Sequence, residues 1–318
     1  MAELFGIEIR TISAGGGRAS SSSRLNYLGF LAKIAICIFK DRRPNTYYWC
    51  WGMPLCFVCW IATLGASKRI IFDDPDRLSL VAPPYFRAPL RAAEQYLYKR
   101  VRRVIVPGPS RYDRMLPNYS VLRNIPCSAD IARALKLKLS RPPGFVVYVN
   151  GWLTKSRGAE MIASAIEQLS HAGISFVIAA REEEVELFPA FRSPNCVVLG
   201  RISPDQSLAW YRHADVVTAF YDPEIPINRL AEPNKVGDAI AMGTPLIMNH
   251  GVAIAEELAK SNCARLCTFS DPASFRNILI ELTAPAALDP LREGIARIRG
   301  NAGSFEQAFS VVGKELAL

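Results

Sequence analysis

Histidine is scarce in this chain. His171, His213 and His250 are the three in 318 residues, each in a different segment, so a histidine metal centre is not expected. Eight cysteines, at 37, 50, 56, 59, 127, 196, 263 and 267, contain one CxxC, Cys56–Cys59. Phe57 and Val58 fill that motif, and Cys263 and Cys267 lie roughly two hundred residues away, so the second pair of a zinc ribbon is missing and buried free thiols are expected. The opening MAELFGIEIRTIS lacks a charged n-region followed by an apolar h-region. It reads as a short strand, and a cytoplasmic chain is the default. No internal repeat is visible, and GGGRASSSS at 15–23 is a loop, because no strand-loop-helix of Walker spacing surrounds it. Nucleic acid is not an expected partner: no recognised module is present, and the basic residues are scattered among apolar runs.

Half of the residues are hydrophobic and 21% are charged, which fits two ordinary domains and excludes disordered, collagenous and coiled-coil classes. The net charge of +9 is uneven. Residues 1–143 hold 23 Lys and Arg against 9 Asp and Glu, or +14, and the remainder is −5. A basic half followed by an acidic half implies domains with different partners, the basic one facing a membrane surface or an anionic substrate.

The longest uncharged run is YYWCWGMPLCFVCWIATLGA, from Tyr47 to Ala66. Its twenty residues permit a membrane span. Gly52 and Pro54, however, divide it into a β-rich piece and a helix with Pro in its first turn, followed by the strand KRIIFDD, so a buried βαβ unit is the preferred reading.

Short apolar runs alternate with helical stretches throughout, the pattern of parallel α/β architecture. Strands are expected at IEIRTIS, TYYWCW, RIIFDD, RVIVPG and YSVLRN, with helices near 24–39, 54–66 and 86–100. Residues 128–143 end in Pro-Pro and read as a linker. A second series then begins at GFVVYVNG and continues through ISFVIAA, CVVLG, VVTAF and PLIMN, with helices at 157–171, 182–189, 204–213, 234–242 and 252–260. The expected organisation is therefore a first domain at 1–127, a linker at 128–143, a second domain at 144–290, and a C-terminal helix at 291–318 packing back on the first domain. Two doubly wound, Rossmann-like domains facing across a cleft make a ligand-binding architecture.

The sharper chemical signals lie in the second domain. YVNGWLTKSRGAEMIASAI has a strand ending at Asn150-Gly151, then Lys155 and Arg157 before a helix, which supplies amides and cations for a diphosphate. In NRLAEPNKVGDAIAMGTPLI, Lys235 occupies a first helical turn, where it opposes the helix dipole unless an anion is also present. A Lys235–Asp238 surface pair of negligible worth is the competing account.

AEPNKVGDAIAMGTPLI resembles the P-S/N-K-x-x-E/D-x-x-A-x-G-x-P-V/L-I signature of GT-B-fold, family-4-like, nucleotide-sugar-dependent glycosyltransferases of bacterial polysaccharide assembly. YVNGWLTKSRGAEMIASAI is similar to their phosphate loop, CVVLGRISPDQSLAWYRHADV to the segment after it, and RRVIVPGPSRYDRMLPNYSVLRNIP to the domain crossing. The likeness spans roughly 44 to 260, weak in the first half and more specific in the second.

The resemblance implies that Asp238 holds the ribose hydroxyls and that Arg157 and Lys235 neutralise the departing diphosphate beside Gly151 and Lys155. It places the backbone of Arg201 and Ile202 against the base and Asn228 and Glu232 near the sugar. Glu232 and Asp74 are its candidate catalytic carboxylates. It further implies a retaining reaction, no metal or other cofactor, a nucleotide-sugar donor, and a lipid-linked or oligosaccharide acceptor met at an anionic membrane by the basic domain and its helix NYLGFLAKIAICIFK. Three departures stand against the pattern: Trp152 replaces a loop arginine, IIFDDPDRL lacks a histidine, and the chain begins at what corresponds to the family's second strand. A catalytically degenerate protein that binds saccharide or assembly partners is therefore the rival reading.

Overall fold

The computed structural model describes residues 24–40, 46–112 and 114–316. The strand expected at 7–13, the loop at 15–23 and residues 41–43 of the basic KDRR lie outside them. Two compact units are present: residues 1–122 with 308–318, and residues 123–307.

In the first unit, helix α1 (Arg24–Lys40) precedes β1 (Tyr48–Trp51), α2 (Met53–Ala62), β2 (Ile70–Asp73), α3 (Pro84–Tyr98), β3 (Arg103–Val106) and β4 (Tyr119–Val121). The four strands pair in parallel in chain order. The uncharged run at 47–66 is thus strand, turn and a ten-residue helix, and no helix among the described residues is long and apolar enough to cross a membrane. Gly52 makes the turn and Pro54 sits in the first helical turn, where its missing N–H costs no hydrogen bond. Cys56 and Cys59 are buried in the core, and burial raises the Cys56 thiol well above its ordinary range. All eight cysteines are free; five are buried, Cys127 and Cys196 are half-buried, and Cys37 is exposed.

The second unit has a six-stranded parallel sheet, formed by β5 (Phe145–Asn150), β6 (Ile174–Ala179), β7 (Cys196–Val198), β8 (Val216–Ala219), β9 (Leu246–Asn249) and β10 (Ala264–Cys267) in the order β10-β9-β8-β5-β6-β7. Central β5 is buried along its whole length. Phe145, Val147 and Val149 enter one hydrophobic cluster and Val146 and Tyr148 the other. That two-residue alternation, with both faces covered, is why the strand reads as a continuous apolar run.

Four results differ from the sequence reading. The C-terminal stretch expected as one helix at 291–318 packing on the first domain is two helices: Pro285–Asn301, whose Leu291 and Ile295 are buried in the cores of the second unit, and Phe305–Leu316, most of which joins the first. Within the stretch expected to be a linker, Ser128–Lys136 is a helix, α4, whose Ala134 is buried in the second core and whose Arg133 pairs with Asp205 at 2.9 Å. The strand ARLC at 264–267 was not anticipated: it is short, carries Arg265, and among the described residues pairs with β9 alone. Beyond it, the helix Pro272–Leu282 was also unanticipated; Asp271 caps its start by accepting from the amides of Ala273 and Ser274.

The remaining labelled helices are α5 (Ala159–Gln168), α6 (Pro204–His213), α7 (Asn234–Met242), α8 (Ala253–Lys260), α9 (Pro272–Leu282), α10 (Pro285–Asn301) and α11 (Phe305–Leu316). In the first unit, Phe309 of α11 meets Trp49 with ring centroids 5.9 Å apart, and Val312 is buried with Ile71 and Ile105.

Candidate functional site

The site is built where β5 and β8 end. After Asn150 the chain turns at Gly151, whose φ of 81° is left-handed. A side chain there would be strained, and its Cβ would lie 3.6 Å from Cε of Lys235 and 3.9 Å from Nζ. Lys235 stands in the first turn of α7, among amides with no intrahelical partner. Burial, and then the charge of Arg157, push its ammonium down to about 8.

Arg157 closes the short 3₁₀ turn Lys155–Arg157 that precedes α5. Its guanidinium lies 4.1 Å from the ring centroid of Tyr221, just beyond β8, and its buried Nη1 has no hydrogen-bond partner. Neither Arg157 nor Lys235 has an ion-pair partner among the described residues. Two neighbouring cations, one desolvated and one with an orphaned donor, repel each other. Such a pair costs the fold stability and is satisfied by an anion.

Asp238 does not pair with Lys235. Its carboxylate faces the buried Tyr211 and Tyr148, and burial raises it to about 6 despite the hydroxyl of Tyr211, which favours the charged form. Asn150 Nδ2 donates to Tyr211 Oη at 3.0 Å, and Tyr148 and Ser207 share a hydrogen bond of 3.1 Å. This set joins the end of β5 to α6 and fixes the wall that Asp238 faces. The sequence reading missed Tyr148, Asn150, Tyr211 and Tyr221 as site members. For Asn150 and Tyr221 the available signal was their position at or just past a strand end; Tyr148, inside β5, and Tyr211, within α6, carried none.

Residues 144–284 match the family model described as glycosyl transferases group 1. The chain carries a group 1 glycosyltransferase domain. That domain makes it an enzyme of the glycosyltransferase class. A search of curated protein sequences gave no match. Solved structures share the GT-B fold over most of the chain. Sucrose-phosphate synthase from Thermosynechococcus elongatus is 15% identical, with a TM-score of 0.67 over 94% of this chain and 80% of that one. An α,α-trehalose-phosphate synthase (UDP-forming) from Burkholderia vietnamiensis is 15% identical, with a TM-score of 0.66 over 93% and 77%. Anabaena Alr3699/HepE in complex with UDP and glucose is 16% identical, with a TM-score of 0.65 over 93% and 83%.

Within the glycosyltransferase domain, Gly151, Arg157, Lys235 and Asp238 come together. Lys155 does not join them: its side chain is 83% exposed and pairs with Glu160 at 2.8 Å. Arg201 is exposed after β7, and the partly buried Ile202 packs on the second core. Asn228 is buried in the one-turn helix Pro226–Arg229. Glu232 is 9% exposed, with its carboxylate 4.0 Å from Arg123 and its backbone carbonyl accepting from Asn124 at 2.8 Å. That contact holds the residues before α7 against 123–125, and Gly237 permits the approach: a Cβ there would fall 1.7 Å from the Asn124 carbonyl oxygen.

Asp74, expected as a catalytic carboxylate near the acceptor, lies inside the first unit. It is 1% exposed and accepts hydrogen bonds from Tyr98 at 2.5 Å and Tyr112 at 2.9 Å. Burial outweighs both donors and raises it to about 6. A carboxylate enclosed in this way helps to order the first core. Its near neighbour Asp76 faces solvent and pairs with Arg111 at 2.9 Å.

Proposed function

We propose that this glycosyltransferase moves a sugar from a nucleotide-sugar donor to a hydroxyl of a saccharide or lipid-linked acceptor in surface polysaccharide synthesis, at the cytoplasmic face of the membrane. The observation that carries the donor reading is the Arg157–Lys235 pair, two adjacent cations with no ion-pair partner among the described residues, at a glycine turn and a helix start. A nucleoside diphosphate matches that charge and those donors, and the similarly folded HepE holds UDP.

In the proposed reaction the bond from the anomeric carbon to the diphosphate breaks and its electron pair leaves with the phosphate. The acceptor oxygen bonds to the same carbon on the same face, and its proton passes to the departing phosphate oxygen. Arg157 and Lys235 stabilise the charge as it develops, the role a bound divalent ion fills in other transferases. Asp238, when ionised, accepts from the ribose hydroxyls. Asn228 and Glu232 contribute to the sugar end of the site.

Membrane contact is assigned to the first unit. Along α2 and just past it, Phe57, Ile61 and Leu64 are exposed, and Ile36 and Phe39 are exposed on α1, with Lys33, Lys40 and Lys68 around them. Exposed apolar side chains with lysines nearby in sequence suit an anionic bilayer surface.

The test is transfer and hydrolysis with a panel of nucleotide sugars, for wild type and Lys235→Ala. Turnover by the wild type that falls at least about a hundredfold in the variant supports the proposal. Trp152 in place of a loop arginine favours the rival binding-only reading, and nucleotide-sugar binding without turnover would establish it.

A further inference from the structure

The cation pair accounts for the phosphates, but a second feature at the same strand ends has no part in that role. Trp152, next after Gly151, is 67% exposed, an unusual state for the largest apolar side chain. One side of its ring is not free: the guanidinium of Arg181, just past β6, lies 4.6 Å from the ring centroid. Arg181 is itself held by Glu184 at 3.0 Å, and Glu184 also accepts from the backbone amide of Leu153 at 3.3 Å. The ring, the guanidinium and the turn that carries the ring are thus tied into one rigid unit, which lowers the entropy lost when a ligand settles on the exposed surface.

Direction decides what that ligand portion is. Arg157 over Tyr221, and Lys235 in α7, place the phosphates on the β8 side of β5. Trp152 and Arg181 lie on the opposite, β6 side. Asp238, the ribose carboxylate of the proposed site, faces Tyr211 of α6, the helix that follows β7. Tyr211 meets Asn150 and Tyr148 of β5, so a nucleotide anchored at the cations and passing Asp238 runs from β8 across the end of β5, and its nucleoside end, continuing in that direction, meets the β5–β6 rim.

We infer that Trp152, backed by Arg181, is the stacking surface for the nucleobase of the bound nucleotide. The inference rests on the diphosphate reading above. It makes Trp152 a binding residue and Arg181 a positioning residue. Stacking on an aromatic ring tolerates any base.

Calorimetric titration of the full chain at pH 7.5 tests this, using inorganic pyrophosphate and whichever of UDP, ADP, GDP and CDP binds wild type most tightly. Trp152→Ala weakens the nucleotide about tenfold or more, the range for losing one base–aromatic stack, and leaves pyrophosphate within about twofold. Trp152→Phe keeps most of the affinity, and Arg181→Ala falls between the two. Circular dichroism of each variant shows that it is folded. An equal loss for pyrophosphate, no loss for the nucleotide, or a Trp152→Phe variant as weak as Trp152→Ala overturns the inference. A loss seen with the nucleotide sugar but not with the free nucleotide overturns it in favour of sugar stacking. Failure of the parent reading looks different: wild type then binds neither pyrophosphate nor any nucleotide, or Lys235→Ala leaves pyrophosphate binding unchanged.

Discussion

Raising the pH should release the nucleotide through one lysine. Lys235 falls from an ordinary 10.5 to about 8 because its ammonium is desolvated and faces Arg157. A diphosphate beside it reverses both effects and returns the bound-state value to the ordinary range or above. Binding then needs the charged lysine, which is about 75% populated at pH 7.5 and about 10% at pH 9. Affinity for a nucleoside diphosphate should fall roughly eightfold between those values, and binding at pH 8 should take up about half a proton. Calorimetry in buffers of different ionisation enthalpy measures both. Lys235→Met removes the pH dependence and corrects for titration of the ligand itself, while Arg157→Gln moves the midpoint upward by removing the neighbouring charge. The same displacement has a stability counterpart. The penalty for the buried charge is fully present below about pH 8 and is relieved as the pH rises toward 10.5, with an upper bound of about 3 kcal/mol because the stem is partly exposed. A wild-type affinity that stays flat from pH 7.5 to 9, or a Lys235→Met variant that keeps the slope, would refute the reasoning.

Gly237→Ala should destabilise the second unit by about 3 kcal/mol or more in urea unfolding, because its Cβ would meet backbone at 1.7 Å; a change below about 1 kcal/mol would show that α7 shifts freely. For Asp74, whose carboxyl rises from 3.8 to about 6, ionisation disfavours the folded state. The stability this group gives is therefore full below about pH 4 and is lost as the pH rises through 6, on the order of 3 kcal/mol. Asp74→Asn should remove that slope from the pH dependence of unfolding. In vesicle sedimentation the protein should bind anionic but not neutral bilayers and release as salt rises, and Phe57→Ser with Ile61→Ser should weaken binding roughly tenfold or more; equal binding to neutral vesicles would count against the membrane assignment.

Much of the fold was legible because parallel strands covered on both faces leave continuous apolar runs. FVVYVN, VVTA and LIMN were read in place on that basis. ARLC was not, since an edge strand has one partner and tolerates Arg265, whose charge is met by Glu281 at 3.2 Å. The helix at 128–136 was hidden for a related reason: SADIARALK buries one alanine deeply, and two proline residues downstream suggested a break. In the site, Arg157 and Lys235 were recognisable from a glycine turn and a misplaced first-turn cation. Lys155 occupied an equally suggestive position, but Glu160 lies one turn further along and captures it.

The amino-acid sequence by itself determined where strands and helices form, that two α/β units follow one another, and which segments bring glycine and cations together. Each is a local property, set by periodicity, turn chemistry and capping. Tertiary structure alone decided which charges lack partners. Among the described residues Arg157 and Lys235 have no ion-pair partner while Lys155 pairs with Glu160, Asp74 accepts from two tyrosine hydroxyls, and Trp152 gains the guanidinium of Arg181 from just past the neighbouring strand. These outcomes depend on residues from separate segments meeting at distances of a few ångströms. Desolvation and Coulomb energies are fixed by that meeting, and no spacing along the chain encodes them.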